Sequence, residues 1–182
     1  MTGARAAEAP PIDPPEGIAT GGIATGGIAI DEESLLVHAP GATPLGAVEA
    51  ALAAAGLTLG LDDLDAVRDR TVASWLAAGA PGAPDAWRDP VDHLVAGLDA
   101  RLPSGERLEV RPAPRRAVGP DLIALFVGAG GRFGAIDRAW LRVHRDGARR
   151  PETSPFALDR DPPVSPEEEA LLAAIERELA PR

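Results

Sequence analysis

Four glycines within seven residues form the part of this sequence best suited to hold a ligand. They are Gly128, Gly130, Gly131 and Gly134. Glycine has no Cβ, so it adopts positive φ without strain and lets another molecule approach the backbone closely. By itself such a run is a weak indication of a ligand site. Its weight depends on the elements that flank it.

Side chains that could act as nucleophiles, bases or metal ligands are sparse and scattered. His38, His93 and His144 lie in separate predicted strands, and no serine stands in the G-x-S-x-G sequence of a nucleophile elbow. Cysteine is absent and no metal-ligand spacing is visible. The pairs Arg115–Arg116 and Arg149–Arg150 could bind a phosphate or carboxylate, although solvated loop arginines are the simpler interpretation. We therefore assign no catalytic residue and no metal site.

The glycine run is flanked by two predicted elements. The apolar residues from Leu122 to Phe126 indicate a helix before it, and those from Ile136 to Val143 indicate a strand after it. The glycines would form the turn between the helix and the strand. A site built on them would therefore lie where that strand begins.

Apolar periodicity and turn residues predict short strands and helices along the rest of the chain. In the strand predicted at residues 91–102, alternation places His93, Val95 and Gly97 on one face and Leu94, Ala96 and Leu98 on the other. The predicted strands are residues 27–30, 34–40, 57–61, 91–102 and 107–113, the last two as a hairpin, and the predicted helices are residues 44–55, 71–78 and 166–179.

Capping residues predict where the helices begin and end. Thr43 suits the N-cap of the first helix and Pro44 its first helical position. Gly56 suits a left-handed residue that ends this helix. Asp62 is expected to cap a helical turn in the segment that follows.

The last helix has the clearest local signature. Ser165 and Glu168 have the spacing of a capping box, and Pro166 suits the first helical position. Three acidic residues lie at the positive end of the helix dipole. We expect this helix to bury one apolar stripe, which consists of Leu171, Leu172, Ile175 and Leu179.

Length and charge limit the class of protein. A chain of 182 residues is long enough for one core of ordinary size. Its net charge of -10 argues against nucleic acid as a partner, because phosphate binding requires concentrated positive charge. No apolar run has the length of a membrane span, and the N-terminus lacks the apolar core of a signal peptide. We expect a soluble, cytoplasmic protein.

The sequence begins with a segment that has little to bury. Residues 17–26 repeat GIATG, and a third copy begins at Gly27. A phosphate-binding loop is a poor interpretation of these repeats, because no lysine follows and no helix opens after them. We expect a disordered tail over residues 1–26, a folded domain over 27–146, a linker over 147–164 and a terminal helix over 165–182.

Four segments then occur in an order typical of one enzyme family. Together they resemble the FAD-binding domain of FAD-linked oxidases of the vanillyl-alcohol oxidase and p-cresol methylhydroxylase type, over roughly residues 27–145. Glycolate oxidase subunits and alkyl-dihydroxyacetonephosphate synthase share the pattern. The segments are SLLVHAPGATPLGAVEAALAAAGLTLGL, TVASWLAAGAPG, VDHLVAGLDARLPSGERLEVR and DLIALFVGAGGRFGAIDRAWLRVHR.

The resemblance implies a set of cofactor-binding positions. In the family, backbone around a glycine pair and around a closing G-x-x-G segment lies against the diphosphate and adenosine of FAD. Here Ala73 and Ser74 replace the glycine pair. The positions carried over to this sequence are Thr71, Ala73, Ser74, Gly128, Gly131, Gly134, Ala135 and Ile136.

The resemblance also implies the fold. We expect an α+β structure like the second half of such a domain, with a small mixed or antiparallel sheet packed with helices and a C-terminal helix. The leading half of the family's domain, with its own diphosphate loop, has no counterpart here, and neither does the substrate-binding cap. The chain is therefore expected to be truncated, and to pair with a partner subunit or a second copy.

Three functional hypotheses remain open. The first is an FAD-linked oxidoreductase-like protein that binds FAD non-covalently, alone or with a partner. The second is a non-enzymatic remnant or interaction module that keeps the fold without binding flavin. The third and weakest is an unrelated α+β binding domain. Neither a membrane nor nucleic acid is an expected partner.

Overall fold

The computed structural model describes residues 27–83, 94–112, 121–147 and 164–180. The predictions for the tail and its GIATG repeats lie outside these residues, as do His93, most of the predicted linker and the arginine pairs at 115–116 and 149–150.

In the described residues, seven strands form two antiparallel sheets. The main sheet has five strands in the order β1-β2-β6-β4-β5, so β6, which follows the glycine run, lies at its centre. Strands β3 and β7 form a separate pair. The strands are β1 Ala29–Asp31, β2 Leu36–Pro40, β3 Leu57–Thr58, β4 Val95–Arg101, β5 Arg107–Val110, β6 Ala135–Arg142 and β7 His144–Arg145.

The part of the chain that the structure describes also contains four α-helices and one 3₁₀ helix. The 3₁₀ helix, Leu122–Leu125, takes the place of the helix predicted before the glycine run. Asp121 begins it by accepting a hydrogen bond from the backbone N–H of Ile123. The α-helices are α1 Leu45–Ala54, α2 Leu64–Val67, α3 Val72–Ala77 and α4 Pro166–Leu179.

The sheet and the first three helices share one hydrophobic core. Alternate residues of β2 and β6 are fully buried, as the period of a strand requires. They join the fully buried Leu45, Val48 and Leu52 of α1 and the indole of Trp75 on α3 in one cluster. The α+β fold and the antiparallel sheet packed with helices are as the sequence predicts.

The start of α1 differs from the prediction by one residue. Pro44, not Thr43, is the N-cap, and no side chain caps the helix. The N–H groups of Leu45 and Gly46 instead donate to the carbonyls of Arg70 and Arg68, each at 2.9 Å. A distant segment thus satisfies the donors that a capping side chain would have satisfied.

Other local predictions are corrected by similar small amounts. Asp63, not Asp62, caps α2, because its carboxylate accepts from the N–H of Ala66 at 3.1 Å. The simple alternation predicted for β4 is wrong, because the pairing with β6 shifts register between Val95 and Gly97. All four residues from Val95 to Leu98 are buried.

The C-terminal helix has the predicted bounds and the predicted capping box. Its predicted burial is wrong: no residue of α4 is buried, and 61% of Leu171 is exposed. The other three residues of the stripe, Leu172, Ile175 and Leu179, are only partly covered. An apolar stripe defines a helix face, but another element must be present to bury it.

Within the described ranges, no helix combines the length and apolar character needed to cross a bilayer.

Candidate functional site

A cavity of about 360 Å³ lies between α3, Phe126 and the turn before β6. We call residues 128–134 the glycine loop and this space the α3 cavity. It is wide open to solvent, and most of its walls are small or apolar side chains. The lining residues are Ala73, Ser74, Ala77, Phe126, Gly131, Gly134, Ala135 and Ile136.

The α3 cavity brings together most of the positions predicted to bind a cofactor. Six of the eight line it, and only Thr71 and Gly128 do not. Two lining residues, Ala77 and Phe126, were not predicted. Ala77 lies one helical turn after Ala73 and on the same face of α3, so spacing alone could have identified it. That these residues bind a cofactor stays a prediction.

Thr71 and Ser74 fix the beginning of α3. The Thr71 hydroxyl accepts a hydrogen bond from the backbone N–H of Ser74 at 3.2 Å. Their two hydroxyls also lie 3.0 Å apart, and the Ser74 hydroxyl donates to the Thr71 carbonyl. Thr71 therefore acts on the cavity indirectly, by positioning Ser74.

The other N–H groups at the start of α3 are also occupied. Val72 donates to the Thr43 carbonyl and Ala73 to the Gly41 carbonyl, each at 2.9 Å. An anion bound at a helix N-terminus needs free N–H groups. The start of α3 offers none from these residues, so α3 presents side chains, not backbone donors, to the cavity.

Gly41 permits the close contact of three elements behind the cavity. A Cβ at this position would lie 2.2 Å from the carbonyl oxygen of Ile136 and 3.2 Å from the Cβ of Ala73. Its N–H donates to the carbonyl of Asp137 at 2.7 Å. Glycine is required here by packing, which the sequence pattern did not reveal.

The glycine loop is held against the end of α3. The N–H of Gly128 donates to the Leu76 carbonyl at 2.9 Å, and that of Gly130 to the Ala77 carbonyl at 2.8 Å. Carbonyls at a helix C-terminus lack intrahelical partners, and these bonds satisfy two of them. Gly128 therefore holds the loop against α3 and does not line the cavity, and its predicted contact with a cofactor stays a prediction.

Gly131 and Gly134 both line the cavity but differ in what surrounds them. Gly134 has φ +142°, and a Cβ on it would lie 2.3 Å from the Arg101 carbonyl oxygen. Gly131 has φ +83°, and its nearest neighbour would be 3.9 Å away. A side chain would therefore fit at Gly131 without a clash but not at Gly134.

No lining residue carries a charge, but two arginines lie beside the cavity. Arg101 pairs with Asp137 through hydrogen bonds of 3.1 and 3.2 Å. Arg132, in the glycine loop, pairs with Glu176 and Glu169 of α4. Hydrogen bonding from Arg132 lowers the pKa of the Glu176 carboxyl. Both arginines are thus neutralised by carboxylates of the same chain.

The histidine of β2 lies outside the cavity. His38 is buried and stacks on Trp140, with ring centroids 4.4 Å apart. Burial, and then the charge of Arg138, lowers the pKa of His38 to about 4. It is therefore neutral at pH 7, and its Nε2 has no hydrogen-bond partner among the described residues. This environment fits a histidine of the packed interior.

Across the ranges that the structure covers, no three His, Cys, Asp or Glu residues are grouped to hold a metal.

Comparison with known proteins bears on the fold and the family of this chain. A family model described as an FAD binding domain matches residues 18–111. Two solved structures of alkyldihydroxyacetonephosphate synthase, in different crystal forms, align with TM-scores of 0.52 and 0.51 at 22% identity. Each alignment covers 64% of this chain and 20% of the synthase, so this chain spans about a fifth of the synthase's length. No curated protein matches.

The synthase alignments show a shared fold, and the family match extends over just over half of the sequence. That match contains the segments on which the resemblance to FAD-linked oxidases was based, except for the closing glycine segment. The chain belongs to the FAD binding domain family.

Proposed function

We propose that this chain binds FAD non-covalently in the α3 cavity and serves an FAD-linked oxidoreductase. The observation that carries the proposal is the convergence of six predicted cofactor positions on one cavity. These positions come from two segments more than fifty residues apart in sequence, on α3 and around the glycine loop. Two distant segments of a family pattern that meet at one concave surface support a common ligand.

The walls of the cavity suit one part of FAD. Alanines and glycines leave room for a flat ring or a ribose, and Ser74 offers a partly exposed hydroxyl. Gly131 is unobstructed, because a Cβ there would have no neighbour nearer than 3.9 Å, and a ligand could approach its backbone closely. When bound, FAD supplies the redox chemistry, while the protein binds it, orients it and excludes water. No residue is assigned to substrate oxidation.

A partner subunit or a second copy of the chain completes this site in our proposal. The lining residues carry no charge, and the N–H groups at the start of α3 are used internally. The negative charge of a diphosphate must therefore be met by groups outside the lining. An opposing protein surface would supply such groups and would cover the rest of the cofactor.

A second candidate function is an interaction module that does not bind flavin. It is favoured by the replacement of the family's glycine pair with Ala73 and Ser74. The N–H of Ala73 donates to the Gly41 carbonyl and that of Ser74 donates to the Thr71 hydroxyl. These backbone donors are therefore less available to a nucleotide. In this case the family fold is kept while its ligand is lost.

Titration of the purified full chain with FAD distinguishes the two functions. Binding in the α3 cavity should give a saturable change in flavin absorption and fluorescence, because the ring or the adenosine leaves water. Riboflavin, which lacks the diphosphate and the adenosine, should bind more weakly. If the flavin absorption and fluorescence instead stay unchanged at micromolar concentrations of the protein, both without a partner and with one equivalent of a candidate partner, the interaction module is the better description.

A further inference from the structure

Arg132 connects the wall of the α3 cavity with the C-terminal helix. It lies in the glycine loop between two lining residues, Gly131 and Gly134. Its guanidinium contacts Glu176 through both Nε and Nη2, the latter at 3.2 Å, and Glu169 through Nη2 at 3.0 Å. A planar fork that binds a carboxylate in this way binds phosphate in the same way.

These ion pairs are the main polar contact between α4 and the described body of the protein. The helix buries none of its residues. The Glu169 and Glu176 side chains are 59% and 39% exposed, and that of Arg132 is 29% exposed. The two carboxylates are therefore accessible to solvent, and a bound anion would replace their charge-assisted hydrogen bonds to the guanidinium with its own.

We propose that Arg132 is an anion-binding residue beside the α3 cavity and that α4 is an internal competitor for it. This inference rests on the proposed function and adds a cation to the site. A diphosphate bound at the glycine loop displaces Glu169 and Glu176 from the guanidinium, and α4 leaves the loop. The carboxylates of α4 therefore lower the affinity of the cavity for an anionic ligand.

The alternative cation beside the cavity is less available. Arg101 is paired with Asp137, which follows Ile136 on β6 and lies on the same sheet. The backbone carbonyl of Arg101 is also packed against Gly134. If an anion replaced Asp137 at Arg101, a contact within the sheet would be broken. If an anion replaced Glu169 and Glu176 at Arg132, only the surface helix α4 would move. Arg132 is the better candidate for this reason.

The test compares three variants of the full chain, with inorganic pyrophosphate as the probe in calorimetric titrations. Glu169→Gln with Glu176→Gln frees Arg132 and should tighten pyrophosphate binding about threefold to tenfold. Adding Arg132→Gln to this pair should abolish the gain. The matched control is Glu167→Gln with Glu178→Gln, which makes the same charge change on exposed positions of α4. The control should leave the affinity close to that of the parent.

Hydrogen exchange of the unmodified chain gives an independent measurement. Saturating pyrophosphate should speed exchange of the α4 amides, because the helix loses its contact with the glycine loop. The inference would be overturned if pyrophosphate left the hydrogen exchange of the α4 amides unchanged, or if the control variant gained as much affinity for pyrophosphate as the Glu169→Gln, Glu176→Gln variant. The absence of pyrophosphate binding in every variant would also overturn it.

Titrations with FAD separate this inference from the proposed function. If the pyrophosphate affinities of the variants change as expected but no variant binds FAD, the competition by α4 is supported and the proposed flavin function is wrong. If FAD binds equally to the parent and to all variants, the flavin function stands and the role of Arg132 is wrong.

Discussion

Gly134 packs against the backbone carbonyl of Arg101 so closely that a Cβ on Gly134 would lie 2.3 Å from that oxygen. The same Cβ would approach the ring of Phe126 to 3.2 Å. A glycine that the family pattern assigns to cofactor contact is thus also required for the glycine loop to meet the end of β4. Loss of ligand binding after substitution of Gly134 cannot by itself locate the ligand.

Gly134→Ala is expected to destabilise the fold by about 2 to 4 kcal/mol, from the clash with Arg101 and from its φ of +142°. Chemical denaturation of the variant and the parent measures this loss. Gly105→Ala is the matched control, because Gly105 has φ +87° but no atom within 4 Å of a Cβ. The control should lose only about 1 to 2 kcal/mol. Equal losses would contradict the packing role of Gly134.

Gly131→Asn is expected to weaken FAD binding about tenfold or more, by placing a side chain in the open space of the cavity. Asparagine tolerates positive φ better than other residues, so the fold should be kept. Gly130→Asn is the control: Gly130 has φ +62°, is unobstructed and does not line the cavity. Fluorescence titration of both variants is the measurement. Similar affinities would place the ligand elsewhere.

The parts of the fold that local chemistry determines could be predicted from sequence. The bounds of α3 agree with the prediction to within one residue at each end, because Thr71 caps the helix with its own hydroxyl. The capping box of α4 was found for the same reason. The convergence of Ala73 with Gly131 depended on the family resemblance, since nothing local relates the two segments.

The features that were missed depend on residues distant in sequence. Pro44 caps α1 because the carbonyls of Arg68 and Arg70 satisfy the first donors, and this cannot be seen in the helix itself. The exposure of Leu171 depends on which other elements pack on α4, and the residues of the helix do not show this. The pairing of Arg132 with Glu176 joins residues 44 positions apart. The hydrophobic periodicity of a segment does not show which other segments it contacts.

Thr71→Ala is expected to destabilise the protein by about 1 kcal/mol, because it removes the hydroxyl that caps α3. Thr71→Ser keeps the hydroxyl and should recover most of this loss. Thermal or chemical denaturation compares the two variants. A further result is expected from FAD titration: the alanine variant should bind more weakly, because Ser74 loses the hydroxyl that positions it. Unchanged stability in the alanine variant would show that Thr71 does not support α3.

The buried imidazole of His38 is expected to make stability depend on pH in the acid range. Its pKa is lowered to about 4 in the folded protein from an ordinary value of 6.5, mainly by burial. The unfolded chain therefore binds the proton more readily, and the folded state becomes less stable as the pH falls from about 6.5 towards 4. The effect at the lower limit is on the order of 2 to 3 kcal/mol.

His38→Phe isolates this contribution, because phenylalanine can keep the ring contact with Trp140 and has no proton to gain. The difference in unfolding free energy between parent and variant should be constant above pH 7 and should shift in favour of the variant below pH 6. The other titrating groups are common to both proteins and cancel in the difference. Among them is Glu49, whose pKa is raised by burial and whose effect on stability has the opposite sign. A difference that stays constant down to pH 4 would mean that His38 is protonated in the folded protein as readily as in the unfolded chain.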